Sequence, residues 1–162
     1  MSRYTFPEIS TKKFLKKENL PYLHHVYLEK ISSKFKRRSE IDFIVFHKRG
    51  LLLLESKGGD RYERSIKEQK DGKKLDVWTY YEGDKKLYSQ NRSPFEQITE
   101  NLEDLRDLLR KHDPKFNKIC FAKGVVFPDL KLSDGGILTN SEEIAFDKND
   151  TSFSNFIDRC FD

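Results

Sequence analysis

Residues 40–57 read Glu40-Ile41-Asp42-Phe43-Ile44-Val45-Phe46-His47-Lys48-Arg49-Gly50-Leu51-Leu52-Leu53-Leu54-Glu55-Ser56-Lys57. Two apolar runs, the first rich in β-branched and aromatic residues and the second in leucine, flank Lys48-Arg49-Gly50, so the stretch predicts a β-hairpin. An acid stands near the start of the first strand and a Glu-x-Lys at the end of the second. Buried strands are normally apolar throughout, so carboxylates and a lysine at their ends need an explanation.

Hairpin geometry constrains that explanation. Side chains alternate along a strand, so Glu55 and Lys57 share a face and Ser56 points the other way. With Arg49-Gly50 as a two-residue turn, Asp42 falls opposite Lys57. With a loop two residues longer, Asp42 falls opposite Glu55. Both registers gather Asp42, Glu55 and Lys57 on one surface. A three-residue loop moves Asp42 to the other face unless a bulge restores it. Two carboxylates and a lysine on one surface suit metal-dependent phosphodiester hydrolysis, where carboxylates hold a hard cation and a lysine sits beside the attacked phosphate. The structural alternative is a strand-end acid and a diagonal Glu–Lys ion pair of little energetic weight. Glu-x-Lys is a short pattern, so the surrounding chain decides between the two.

The chain has 162 residues, enough for one domain (1–162) with a real core. Its formal net charge of +4 is compatible with nucleic acid without demanding it. Distribution says more. Lys12, Lys13, Lys16 and Lys17 cluster near the N-terminus, and Lys34, Lys36, Arg37 and Arg38 precede the first motif strand. Those four are the expected nucleic-acid contacts, against the alternative of a solvated face. Cys120 and Cys160 lie far apart with no Cys/His metal spacing, which predicts reduced thiols and a cytoplasmic setting. No apolar run reaches membrane-spanning length, and Met1-Ser2-Arg3-Tyr4 opens no signal peptide. No Walker Gly-rich loop occurs, so any ATP-driven step lies in another protein or domain.

Periodicity and punctuation order the elements. Residues 5–18 predict a helix, with Thr5 and Glu8 forming a capping box. Strands are expected at 22–28, 40–47 and 51–57, with the basic segment 30–39 turning the chain between the first two. His24-His25 falls in the first strand, where neighbours face opposite ways, so a shared metal is not expected from them. Residues 60–92 predict a charged meander around the strand Val77-Trp78-Thr79-Tyr80-Tyr81. Ser93, Pro94 and Glu96 supply a second capping box. The helix that follows has Phe95, Ile98, Leu102, Leu105, Leu108 and Leu109 as its buried stripe. A strand at 118–127, short edge strands at Ile137-Leu138-Thr139 and Ile144-Ala145-Phe146, and a closing helix at 152–161 complete the order. The fold class is α/β, a mixed β-sheet flanked by helices in the order αβββαβ with additional strands.

These residues resemble the nuclease-related domain (NERD) family of the PD-(D/E)xK, restriction-endonuclease-like superfamily. Besides the Asp42 and Glu55-Ser56-Lys57 strands, Ser93-Pro94-Phe95-Glu96-Gln97 resembles the family's Pro-x-x-Gln helix. Gly124-Val125-Val126-Phe127-Pro128 resembles the strand after it. The resemblance covers about residues 5–130, and pieces in this order support one another. It implies Asp42 and Glu55 as metal ligands, with the Ser56 carbonyl, and Lys57 as the catalytic lysine. Gln97 becomes a helical residue facing the site, or else a solvated first-turn residue. Glu8 matches the acid on the family's first helix, or else it is only a cap. The family often has Gly before that acid where this chain has Pro7. Ser56 replaces a commoner Thr or apolar residue. The implied activity is Mg²⁺- or Mn²⁺-dependent cleavage of DNA with little sequence specificity. Fusion to helicases in the family implies a helicase domain or subunit as a partner, with this chain as the N-terminal part of a larger protein. The alternative is a non-catalytic nucleic-acid-binding or interaction module that keeps the fold.

Overall fold

A computed structural model describes residues 6–31, 36–132 and 143–162. The elements are α1 (Phe6–Lys17), β1 (Tyr22–Ile31), β2 (Lys36–His47), β3 (Gly50–Ser56), β4 (Arg61–Glu68), β5 (Lys74–Glu82) and β6 (Lys85–Gln90). Then come α2 (Pro94–His112), a 3₁₀ turn (Pro114–Lys118), β7 (Phe121–Val126), β8 (Ala145–Phe146) and α3 (Phe153–Phe161). The main sheet has the order β1-β2-β3-β7-β8, antiparallel through β1, β2 and β3 and parallel across β3–β7 and β7–β8. The segment between β3 and α2 folds as its own antiparallel sheet, β4-β5-β6. The fold is therefore α/β with a mixed sheet flanked by helices, as the sequence predicts.

Apolar residues divide between the two sides of that sheet. On one side Ile44 and Leu53 pack with Phe95, Ile98, Leu102 and Leu105 of α2, and with Trp78 and Tyr80 of β5. On the other, Phe43, Leu52 and Leu54 pack with Leu15 of α1 and with Phe153, Phe156 and Ile157 of α3. The four leucines of β3 are consecutive because the central strand is covered on both faces, as in parallel sheets generally. The small sheet is docked by Trp78 against Phe95 of α2, 6.1 Å between ring centroids, and within the small sheet Trp78 stacks on Tyr62 at 5.2 Å.

Several expectations change in detail. The hairpin tip is Lys48–Arg49, since His47 pairs with Gly50 and Phe43 with Leu54. This is the register that carries Asp42 toward Glu55. Gly50 has φ +147°, and a Cβ there would fall 2.1 Å from the Cys120 carbonyl oxygen, so neither the turn nor the packing admits another residue. β2 begins at Lys36 rather than 40, because pairing with β1 continues through Glu29↔Arg38 and Ile31↔Lys36. The basic segment is thus largely strand backbone. The strand expected from 118 starts at Phe121, since Pro114–Lys118 closes into a 3₁₀ turn capped by Asp113.

In α2, Ser93 caps by accepting from the Phe95 N–H at 3.1 Å. Leu108 leaves the buried stripe and is 49% exposed. Its face lines a shallow cavity with Leu28 and Glu29, while Asn101 and Asp104 are buried instead. Both polar residues serve the sheet: Asn101 donates to the Glu40 carbonyl, and Asp104 accepts from the Ser39 hydroxyl. Thr5 and Ile137-Leu138-Thr139 lie outside the described residues, as does Lys34. The backbone of Lys36, Arg37 and Arg38 belongs to β2, and their side chains lie outside the description.

Candidate active site

The site forms where strand pairing breaks off. β1 and β2 pair residue for residue from Tyr22↔Val45 to Ile31↔Lys36 except at His25 and Asp42, and the β2–β3 ladder stops at Phe43↔Leu54. At the same point both strands exchange faces. Tyr22 packs on the α1/α3 side, whereas Val26 and Leu28 pack on the α2 side. Phe43 and Val45 face α1 and α3, whereas Ile41 faces α2. His25 carries the switch on β1, with a left-handed φ of 55°.

Asp42, Glu55, Ser56 and Lys57 line a cavity of about 520 Å³ together with Glu8 and Gln97. Four separate elements feed it: α1 gives Glu8, β2 gives Asp42, the end of β3 gives Glu55 and Ser56, and α2 gives Gln97. Asp42 Oδ2 accepts the Ser56 N–H at 2.9 Å, a side-chain bond across the two strand ends. The Ser56 hydroxyl lies 2.8 Å from the Thr11 hydroxyl, which donates to the Pro7 carbonyl, so α1 is tied to the motif strand. Lys57 Nζ reaches Glu55 Oε1 at 3.0 Å, Gln90 Oε1 at 3.0 Å and Gln97 Oε1 at 3.2 Å. Gln97 and Glu8 therefore both line the cavity, Glu8 being 7% exposed.

Electrostatics make this cluster unlike a structural ion pair. Burial, and then the Glu55 carboxylate, push the Asp42 pKa well above the usual carboxylate range, against the Ser56 N–H bond and Lys57. Burial also works on Lys57 and favours its neutral form. The Glu55 carboxylate outweighs it, and the Lys57 pKa is raised, so Lys57 is charged at neutral pH. One cation thus faces two buried carboxylates. Glu55 Oε2 is buried without a hydrogen-bond partner among the described residues. An orphaned carboxylate oxygen beside a second buried carboxylate is what an oxygen-ligated divalent cation would satisfy. Asp42 and Glu55 therefore fit Mg²⁺ or Mn²⁺.

His24 and His25 overturn the strand-alternation argument. The left-handed backbone at His25 turns both rings toward the same side, with centroids 3.8 Å apart. His24 Nε2 lies 3.2 Å and His25 Nε2 3.1 Å from the same Glu8 oxygen. His25 Nδ1 lies 3.3 Å from Glu40 Oε1. Burial pushes the His24 pKa down to about 4, with His25 and Lys12 adding to it, so this ring is neutral at ordinary pH. Burial raises the Glu8 pKa, partly offset by His25.

Sequence reasoning missed other parts of the cavity. Gln90, at the end of β6, shares Lys57 with Gln97. Lys85, Lys86 and Tyr88 on β6 form a wall of the same cavity, and Lys57 Nζ lies 5.8 Å from the Tyr88 ring centroid. The turn signal Gly83-Asp84 marked the start of β6, but nothing in the local pattern said that this strand folds back over the motif.

No helix among the described residues is long and apolar enough to cross a membrane. No curated protein and no solved structure shows a significant match to the chain. The family description "nuclease-related domain" matches over residues 6–128, a span that contains Glu8, Asp42, Glu55, Lys57 and Gln97. With a match over most of its length, and a mixed sheet that brings those five residues to one cavity, the chain belongs to the nuclease-related domain (NERD) family.

Proposed function

We propose that this protein hydrolyses DNA phosphodiester bonds with the help of Mg²⁺ or Mn²⁺. The observation that carries the reading is the buried Asp42–Glu55 pair with an unsatisfied Glu55 oxygen, facing a charged Lys57 in the lining of one cavity. Asp42 and Glu55 would hold the cation, with the Ser56 carbonyl as a neutral third oxygen. When bound, the cation supplies Lewis acidity to the scissile phosphate and to the attacking water.

The chain's own groups do the rest. Lys57 donates toward the phosphate, where negative charge grows in the transition state. Its resting contacts to Glu55, Gln90 and Gln97 hold the ammonium beside the two carboxylates, so little reorganisation precedes reaction. Lys85 and Lys86 are exposed on the wall and suited to the phosphates flanking the cut. Lys34, Lys36, Arg37 and Arg38 are further phosphate contacts in our reading, on the strength of their charge alone. Contacts of this type position a backbone and carry no base information, which supports low sequence specificity. Cys120 and Cys160 are both free thiols, in keeping with a reducing, cytoplasmic setting.

Cleavage of linear and circular DNA with Mg²⁺, Mn²⁺ or EDTA tests the reading. Wild type should cut with either metal and stop with EDTA, and Asp42→Ala and Glu55→Ala should not cut. Equal cleavage by wild type and Glu55→Ala refutes the assignment. DNA binding without cleavage under every metal would instead make the chain a binding module.

A further inference from the structure

The Asp42–Glu55 pair does not use the two histidines. We propose that Glu8, His24 and His25 form a second cation site, selective for a borderline transition ion such as Co²⁺ or Zn²⁺ over Mg²⁺.

Geometry carries the proposal. Both Nε2 atoms stand 3.1–3.2 Å from one Glu8 oxygen, and the three ligand atoms lie within 4.8 Å of one another. Neighbouring ligands around an ion with bonds of about 2.1 Å are separated by roughly 3 Å, so the carboxylate and each imidazole already stand at a ligand's spacing. Two imidazoles and one carboxylate form a donor set that favours Co²⁺ or Zn²⁺, whereas Mg²⁺ prefers oxygen alone.

Glu40 adds a second line of support. Histidines that bind metals usually donate their other ring N–H to a carboxylate, which fixes the tautomer and aims the free lone pair. His25 Nδ1 faces Glu40 Oε1 at 3.3 Å, leaving Nε2 turned to Glu8. The site is also placed to matter, since ligand atoms of His25, Glu40 and Asp42 lie within 4.8 Å of one another. A cation there sits next to Asp42. The site stands on its own geometry and does not depend on cleavage.

The test uses the full chain, stripped of metal by a chelator and titrated with Co²⁺ in excess Mg²⁺. Co²⁺ absorption and NMR of the histidine rings are the readouts. One Co²⁺ per chain should persist against Mg²⁺. His24→Gln and His25→Gln should each weaken it by at least about tenfold, and Glu40→Gln by about tenfold. Glu55→Gln should leave it in place. If a histidine variant fails to fold by circular dichroism, paramagnetic shifts of both ring signals in wild type carry the decision. Co²⁺ uptake indifferent to both histidine variants, or ring signals that do not move, overturns the proposal. Mg²⁺-dependent cleavage without histidine-dependent Co²⁺ binding would remove this site and keep the nuclease reading. Histidine-dependent Co²⁺ binding without cleavage would keep this site and remove that reading.

Discussion

Asp42→Asn should reverse the sign of its effect on stability when Mg²⁺ is added. In the metal-free protein Asp42 is 7% exposed beside the equally buried Glu55, and both burial and that neighbour oppose its charge. Asparagine keeps the shape and an oxygen to accept the Ser56 N–H now bound at 2.9 Å, and it removes the repelling charge. Each pKa unit by which the fold raises a carboxyl costs about 1.4 kcal/mol of stability at neutral pH. The variant should therefore gain on the order of 1 kcal/mol without metal, against a loss of some tenths for the weaker neutral hydrogen bond. For a domain of this size, 1 kcal/mol is roughly 2–4 °C in Tm. With Mg²⁺ at a hundred times its dissociation constant, wild type should gain about 2.7 kcal/mol, and the variant far less. Thermal melts at neutral pH, with EDTA and across a Mg²⁺ series, should show the two Tm curves crossing. Equal Mg²⁺ stabilisation of both proteins would show that Asp42 is not a ligand. A variant less stable than wild type in EDTA would refute the claim that the two carboxylates repel.

Lys57→Ala should remove most cleavage while Mg²⁺ still raises Tm, because the lysine offsets charge that appears only in the transition state. Gln90→Ala should lower turnover less than Lys57→Ala and leave Mg²⁺ binding unchanged, as steady-state kinetics beside calorimetry would show. Leu105→Ala should cost about 2–5 kcal/mol in urea unfolding, since this side chain is buried between α2 and the sheet. A thiol reagent should label exposed Cys120 in the native protein and reach Cys160 only after unfolding. Burial raises the Cys160 pKa from 9.0 to about 12. The folded state holds that proton more tightly, so the contribution of Cys160 is complete below pH 9 and fades as pH rises toward 12. Cys160→Ala should flatten that alkaline decline in melts from pH 8 to 11.

Most of the scaffold was legible because each local signal agreed with the fold. Apolar runs, Gly50, and the Ser93-Pro94 cap each point to one element, and none needs distant information. The triad Asp42, Glu55 and Lys57 was legible as well, since hairpin parity depends only on counting residues. Leu108 failed because a helical stripe gives a face without saying where the opposing surface ends. Gln90, Lys85 and Lys86 failed for a different reason. Their role arises from the docking of β4–β6 through Trp78, a contact with α2 and the main sheet that no local spacing encodes.

The histidines teach the most about where such reading breaks. Alternation predicted that His24 and His25 diverge, and alternation is what fails at His25, where φ is 55°. A left-handed non-glycine residue within a strand costs on the order of 1–3 kcal/mol. The same position also forfeits the His25–Asp42 pairing. Those costs coincide with one line across the sheet, through His25, Asp42 and Glu55, where the β1–β2 ladder skips a pair and the β2–β3 ladder ends. Regular pairing there would keep His24 and His25 on opposite faces of the sheet. The interruption instead brings both histidine rings to Glu8, whose carboxylate lines the same cavity as Asp42 and Glu55. Forfeited backbone pairing and two buried carboxylates both lower stability without metal, and both are offset when cations bind the freed ligands. Restoring regular alternation by His25→Val, a β-branched residue that disfavours φ near 55°, should therefore stabilise the metal-free protein and weaken its Co²⁺ binding. If His25→Val destabilises the protein in EDTA, the break is serving the fold and not the site.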